Sequence, residues 1–116
     1  MYLKVIKKVV KKDSGEHPRF IKPIQPQVVK ESENAIFTAQ VAGAPRPQVS
    51  WIKDKKPLKL DDRITCETDE KTNIYRLIIH KATEADIGVY SCHAENTAGR
   101  ANSTANVVVV RKYTGF

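Results

Sequence analysis

Between Phe20 and Val110 the chain is written in short runs in which apolar and polar residues alternate, each closed after about ten residues by a cluster of turn formers. A period of two puts one set of side chains on a buried face and the other in water, which is the pattern of a strand covered on one side only. No helical pattern separates these runs, so βαβ units are excluded and an all-β, two-sheet antiparallel sandwich is expected. At 116 residues the chain can build one core, because folding at this length removes roughly two-thirds of the unfolded surface from water.

The first run, Phe20 to Ile24, contains Pro23 and is followed by Pro26. Neither has an amide proton to give, so an edge strand fits and a central one does not. Ala35, Phe37, Ala39 and Val41 alternate with Ile36, Thr38 and Gln40 and form an inward set, which Gly43 to Pro47 close with a rigid turn. Val49 and Trp51 share a face, Lys53 follows where the chain returns to water, and Pro57 marks the next break. Ile64 and Cys66 share one face and Leu77 and Ile79 another, on either side of the polar hairpin Asp69 to Asn73, and all four read as core. Tyr90, Cys92 and Ala94 alternate inward before Asn96 to Gly99 reverse the chain. Ala101, Ser103, Ala105, Val107 and Val109 then line the closing strand.

Residues 1–12 separate Tyr2, Leu3, Val5, Ile6, Val9 and Val10 from the lysines on a helical projection. Four of these six apolar residues are β-branched, and so short a segment is a marginal helix in water, so a linker that includes the last strand of a preceding domain is the favoured reading. Lys4, Lys7, Lys8, Lys11 and Lys12 also break up the apolar stretch that a secretory leader would need. The expected organisation is 1–16 basic linker or end of a preceding domain, 17–111 sandwich domain, and 112–116 C-terminal tail.

The net charge of +7 favours acidic surfaces, a filament or anionic lipid among them. The basic residues are not interleaved with aromatic stacking platforms, so nucleic acid is not an expected partner. Nor is a membrane, since no apolar run approaches the roughly 18 residues of a spanning helix.

Four segments together resemble the intermediate-set (I-set) immunoglobulin domain: Gly43-Ala-Pro-Arg-Pro-Gln-Val-Ser-Trp51, Arg76-Leu-Ile-Ile79, Asp86-Ile-Gly-Val-Tyr-Ser-Cys92 and Ala94-Glu-Asn-Thr-Ala-Gly99. The resemblance covers residues 18 to 110 and implies a Greek-key sandwich with Trp51, Cys92, Ala39, Leu77 and Tyr90 in its core. It gives Trp51 the place of a flat wall between the sheets and Tyr90, two residues before Cys92, the place of the tyrosine corner. Gly88 would allow a tight turn and Gly99 a positive φ in the following hairpin. Arg63 and Asp86 would form an ion pair. One position departs from the pattern: the family's first disulfide cysteine belongs twelve residues before the tryptophan, where this chain has Ala39, so Cys92 is left as a small apolar thiol. A bridge between Cys66 and Cys92 is the remaining alternative.

Domains lacking that bridge suit a compartment that keeps thiols reduced. The resemblance therefore points to the cytoplasmic immunoglobulin domains of the giant muscle proteins, such as titin, twitchin, projectin and obscurin, with palladin and myotilin next, in the sarcomere or cytoskeleton. It implies a non-catalytic spacer and docking module, monomeric when isolated, whose partners are neighbouring immunoglobulin-type domains and actin or another sarcomeric filament protein. A kinase, if the parent chain carries one, would lie elsewhere. The alternative is an extracellular adhesion or receptor domain, towards which the glycosylation triplet Asn102-Ser103-Thr104 leans.

No catalytic constellation is legible. His17 reads as linker, His80 as a strand end and His93 as an outward strand position, with no metal-ligand spacing among them. Zinc on Cys66, Cys92 and His93 is geometrically poor because adjacent strand residues point to opposite faces. Five scattered glycines make no phosphate loop. No cofactor, metal or small-molecule substrate is expected, and the candidate binding patch is Lys53, Lys55, Lys56 and Lys59.

Overall fold

The alternating runs become strands in a computed structural model that describes residues 15–111. The linker and helix readings of residues 1–14 and the tail at 112–116 lie outside the described residues. In chain order the strands are β1 (Glu16–Lys22), β2 (Gln27–Lys30), β3 (Ala35–Ala44), β4 (Gln48–Lys53), β5 (Lys56–Pro57), β6 (Ile64–Asp69), β7 (Ile74–Ile79), β8 (Gly88–Asn96) and β9 (Gly99–Val110). A 3-10 turn, Glu84–Asp86, precedes β8. Four strands pair as β1-β3-β7-β6 and five as β2-β9-β8-β4-β5, and the two sheets face each other. Every pairing is antiparallel except β2 on β9.

Prolines 23 and 26 explain how the first run is used. Instead of one edge strand, the chain makes β1, which pairs with β3, then crosses the gap between sheets and continues as β2 on β9. The crossing is anchored by Ile24, buried in the core, whose amide donates to Ser103 Oγ at 3.0 Å. β1 begins at Glu16 and carries His17, which is therefore a strand residue and not linker.

Alternation is kept where the opposite sheet covers one face of a strand and water the other. Ala35, Phe37, Ala39 and Val41 from β3, Tyr75, Leu77 and Ile79 from β7, Tyr90, Cys92 and Ala94 from β8, and Ala105, Val107 and Val109 from β9 make the core. Phe37 spans the sandwich, its ring centroid 5.4 Å from Tyr90 and 6.3 Å from Trp51. At 25 cal/mol per Å² of apolar area, each large side chain closed into this layer contributes roughly 1.5–3 kcal/mol.

Departures from expectation fall at the sheet edges. Cys66 is exposed, because β6 is the outer strand of its sheet and the opposite sheet ends there in the two-residue β5. Trp51 is half-buried, packed against Phe37 at the rim and not enclosed as a wall, and Ile64 is likewise half-buried. Pro57 does not break the sheet; it sits in β5 opposite Ile52, an edge position where no amide proton is required. Gly88 serves a close approach: a Cβ there would lie 2.8 Å from Asp54 Oδ2. Gly99 has a φ of 157°, and a Cβ would lie 3.0 Å from that of His17.

Both cysteines are unpaired, Cys66 exposed and Cys92 buried, so neither the alternative bridge nor a shared metal site forms. Burial pushes the Cys92 thiol up to about 12 and raises that of Cys66 less. A disulfide-exchange reagent should therefore label one thiol of the native, never-reduced protein quickly and the second only after unfolding. Two thiols labelled together in the native state, or none after unfolding, would contradict this placement.

Candidate functional site

Asp86 is the polar junction of the fold. Thr83 opens the 3-10 turn, its amide donating to Asp86 Oδ2 at 2.9 Å while its own Oγ1 accepts from Ala85 N at 3.3 Å. Arg63, one residue before β6, donates from Nη1 to Asp86 Oδ2 at 3.0 Å and from Nη2 to Oδ1 at 3.1 Å, a bidentate pair joining the two sheets. From β8 the Tyr90 hydroxyl reaches back to the Asp86 carbonyl at 2.6 Å. Burial pushes the Asp86 carboxyl up, but the Arg63 hydrogen bonds, the Thr83 amide and the charges of Arg63 and Lys53 outweigh it and hold the group below its usual range. The same pairing raises Arg63. With 6% of the Asp86 side chain exposed against 36% for Arg63, this is more than a surface pair.

Lys53 belongs to this junction. Its Nζ donates to the Ala85 carbonyl at 2.6 Å and lies 5.7 Å from the Tyr90 ring centroid. Of the four lysines of the candidate patch, Lys55, Lys56 and Lys59 are exposed, while Lys53 is half-buried and keeps its charge in the bond to Ala85. Asp54 and Lys55 form the tight β4–β5 turn with φ of 50° and 69°, the left-handed pair that a two-residue hairpin loop requires. Asp54 Oδ1 accepts from Val89 N at 2.9 Å, which fixes a negative charge beside Lys55.

The histidines are held separately. His80 Nε2 lies 2.9 Å from Thr65 Oγ1, and His93 stands between Asn102 Oδ1 at 2.7 Å and Glu95 Oε1 at 3.1 Å, two acceptors that raise its pKa. Among the described residues no group of three His, Cys, Asp or Glu is placed to hold a metal. Ser91 Oγ meets Thr104 Oγ1 at 2.9 Å and not a base. This arrangement can brace and present a surface; where a hydroxyl does meet an imidazole, Thr65 Oγ1 beside His80 Nε2, no third group among the described residues bonds the other ring nitrogen to orient it. The capping role of Thr83 was legible in Thr83-Glu84-Ala85-Asp86, a hydroxyl followed three residues on by a carboxylate. Lys53 and Asp54 carry no such local signal, because their partners lie more than thirty residues away, at separations of 32 and 35.

The immunoglobulin I-set domain family matches residues 18–109. The muscle M-line assembly protein unc-89 of Caenorhabditis elegans is 36% identical over 94 residues, 81% of this chain and 1% of that protein. Vascular endothelial growth factor receptor 1 of Gallus gallus is 32% identical over 103 residues, 89% of this chain and 8% of the receptor. Among solved structures, a chain of the titin M10 complex with the obscurin-like 1 immunoglobulin domain superposes with a TM-score of 0.81 at 31% identity, covering 86% of this chain and 100% of its own. The present chain thus spans a small part of the curated relatives it matches.

Because the Asp86 carboxylate is held below its unfolded value, it adds stability above the ordinary aspartate pKa of about 4 and loses that contribution as pH falls through the folded value. Asp86→Asn should cost about 1 to 3 kcal/mol at neutral pH. In urea titrations the gap between parent and variant should narrow on acidification. A gap that is absent at neutral pH, or that stays constant into acid, would contradict the assigned role.

Proposed function

The chain belongs to the immunoglobulin I-set family, and from that premise we propose that it is a non-catalytic spacer and docking module in a tandem array of a large intracellular cytoskeletal or sarcomeric protein. The observation that carries this reading is the parallel ladder between β2 and the last strand, β9, Gln27 opposite Val107 through Lys30 opposite Val110, extended by Glu31 N to the Val110 carbonyl at 2.9 Å. Tension applied through the two ends of the domain draws β2 and β9 past each other along their length. Their hydrogen bonds are then loaded together in shear instead of peeling one at a time. Ala39 supports a reducing compartment, since the fold closes without a bridge to Cys92. The muscle M-line relative points the same way, and the titin neighbour, solved in complex with another protein, supports protein partners.

Filament docking is assigned to Lys55, Lys56 and Lys59, with actin as the first filament to test. A second reading, an extracellular receptor or adhesion domain, draws on the receptor relative and on exposed Asn102, the acceptor position of the glycosylation triplet.

Two measurements separate these proposals. In a polyprotein pulled between marker domains, Val28→Pro and Val29→Pro should differ, because alternate residues of a parallel strand donate to its neighbour and one of the two prolines removes a bond to β9. The expected result is a marked drop in unfolding force for one variant; parent-like force in both would overturn the shear reading. The combined change Lys55→Glu, Lys56→Glu and Lys59→Glu should abolish low-salt pelleting with actin filaments while the melting temperature stays close to the parent's. Unchanged pelleting would sink the patch.

A further inference from the structure

His93 points outward from β8, opposite Asn102 on β9 and opposite Ser50 on β4. Its two ring nitrogens meet two oxygens. Nδ1 lies 2.7 Å from Asn102 Oδ1, and Nε2 lies 3.1 Å from Glu95 Oε1. An amide oxygen and a carboxylate oxygen accept and do not donate, so each ring nitrogen has to bring the proton, and a histidine carries two N–H groups only as the imidazolium. A neutral ring has one donor and one lone pair. It would set that lone pair against one of the two oxygens, or keep both partners only if the Asn102 amide turned over to offer Nδ2. As it stands, the arrangement suits the charged form.

The groups that face the ring are few. On β8 itself there are Glu95 and the uncharged Ser91; β9 brings Arg100, opposite Glu95, with the uncharged Asn102 and Thr104; β4 brings the uncharged Ser50 and Gln48. Arg46 lines the same groove, but its guanidinium is turned to Asn73 Oδ1 at 2.9 Å and the Glu70 carbonyl at 3.0 Å. The hydrogen bonds to Asn102 and Glu95 raise the His93 pKa against partial burial and the Arg100 charge. With 21% of the His93 side chain exposed and 55% of Glu95, water screens their attraction, and that pair alone would be worth little. The second oxygen, Asn102, is what fixes the ring and joins the two strands.

The place of this contact gives it a consequence. Three residues further along β8, Asn96 fastens the β8–β9 hairpin to the first residue of β1: Nδ2 donates to the Glu16 carbonyl at 2.7 Å and to the Pro45 carbonyl at 3.0 Å, while Oδ1 accepts from Ala98 N at 2.8 Å and Gly99 N at 3.1 Å. We propose that His93 is a proton-operated clasp on this hairpin: holding its proton, it ties Asn102 of β9 to Glu95 of β8; on losing it to solvent, it releases one of the two and lets the hairpin that anchors Glu16 loosen. Because the folded state favours the protonated ring, the clasp adds stability below the ordinary histidine value of about 6.5 and loses it as pH rises through the folded value. That is opposite in sign to Asp86, whose contribution is lost on acidification. The clasp does not depend on the spacer or docking reading.

NMR of the imidazole nitrogens in the full, isotope-labelled chain, followed from about pH 5 to about pH 9, tests it. The His93 midpoint should lie above about 6.5. Asn102→Ala and Glu95→Gln should each lower that midpoint, and Arg100→Gln should raise it; a residue that only fills space would not answer with both signs. In urea titrations His93→Gln should unfold at lower denaturant than the parent in mild acid and together with it once the ring is neutral. Amide exchange at Ala98 and Gly99 should likewise be slower in the parent than in His93→Gln in mild acid and alike at higher pH. A midpoint at or below the ordinary value, no response to the three neighbouring variants, a neutral ring accepting at Nδ1 from a turned Asn102 amide, or a stability gap that widens as pH rises would each overturn the proposal. Should His93→Gln fail to fold, the midpoints of the other three variants decide it.

Discussion

Tyr90 is where the two sheets are fastened. Its ring packs 5.4 Å from that of Phe37 across the sandwich, and its hydroxyl, buried with it, finds a partner in the Asp86 carbonyl at 2.6 Å. A buried hydroxyl without such a partner would offset much of what the ring gains by leaving water. Lys53 lies over the same ring and ends on the Ala85 carbonyl, so the turn before β8 is held from both sides. The Asp86 side chain then passes the restraint to Arg63 at the start of β6, in the opposite sheet. One aromatic side chain thus links the core, the turn and the inter-sheet ion pair.

This arrangement explains why Ala39 is tolerable. A bridge from that position to Cys92 would add about 2 to 4 kcal/mol. Here the strands close instead through fully buried apolar side chains and the Asp86 junction, both indifferent to redox conditions. In the proposed spacer role, stability and the path of force would fall to different parts: the Phe37–Tyr90 layer holds the sheets face to face, while the β2–β9 ladder would meet tension along its length. A spacer can keep the second in register only if the first does not shear, which is why the junction at the start of β8 matters to the proposed function.

What could be read from residues and what could not follows the covering of each strand. β3, β8 and β9 are covered on one face and open on the other, and their period-two patterns named Phe37, Cys92 and Val107 as core. Periodicity tells which face a residue takes and not whether that face is covered, so it reads Cys66 on the outer strand β6 and Trp51 on β4, beside the two-residue β5, as deeper than they lie. Prolines 23 and 26 announced an edge, yet only three-dimensional pairing shows that the chain changes sheets between them. In Val107-Val108-Val109-Val110 every residue is apolar, so alternation identifies the inward pair and leaves the outward pair unremarked. The lysines look alike along the chain, and only a contact 32 residues distant distinguishes Lys53, which braces the turn before β8, from the others.

The central claim, that packing around Tyr90 and the Asp86 junction closes the sandwich with no covalent link, is tested most directly by equilibrium urea unfolding of protein purified without reductant, repeated after full reduction. The same midpoint and the same denaturant dependence are expected in both. A midpoint that falls on reduction would show that a disulfide had been holding the sheets together.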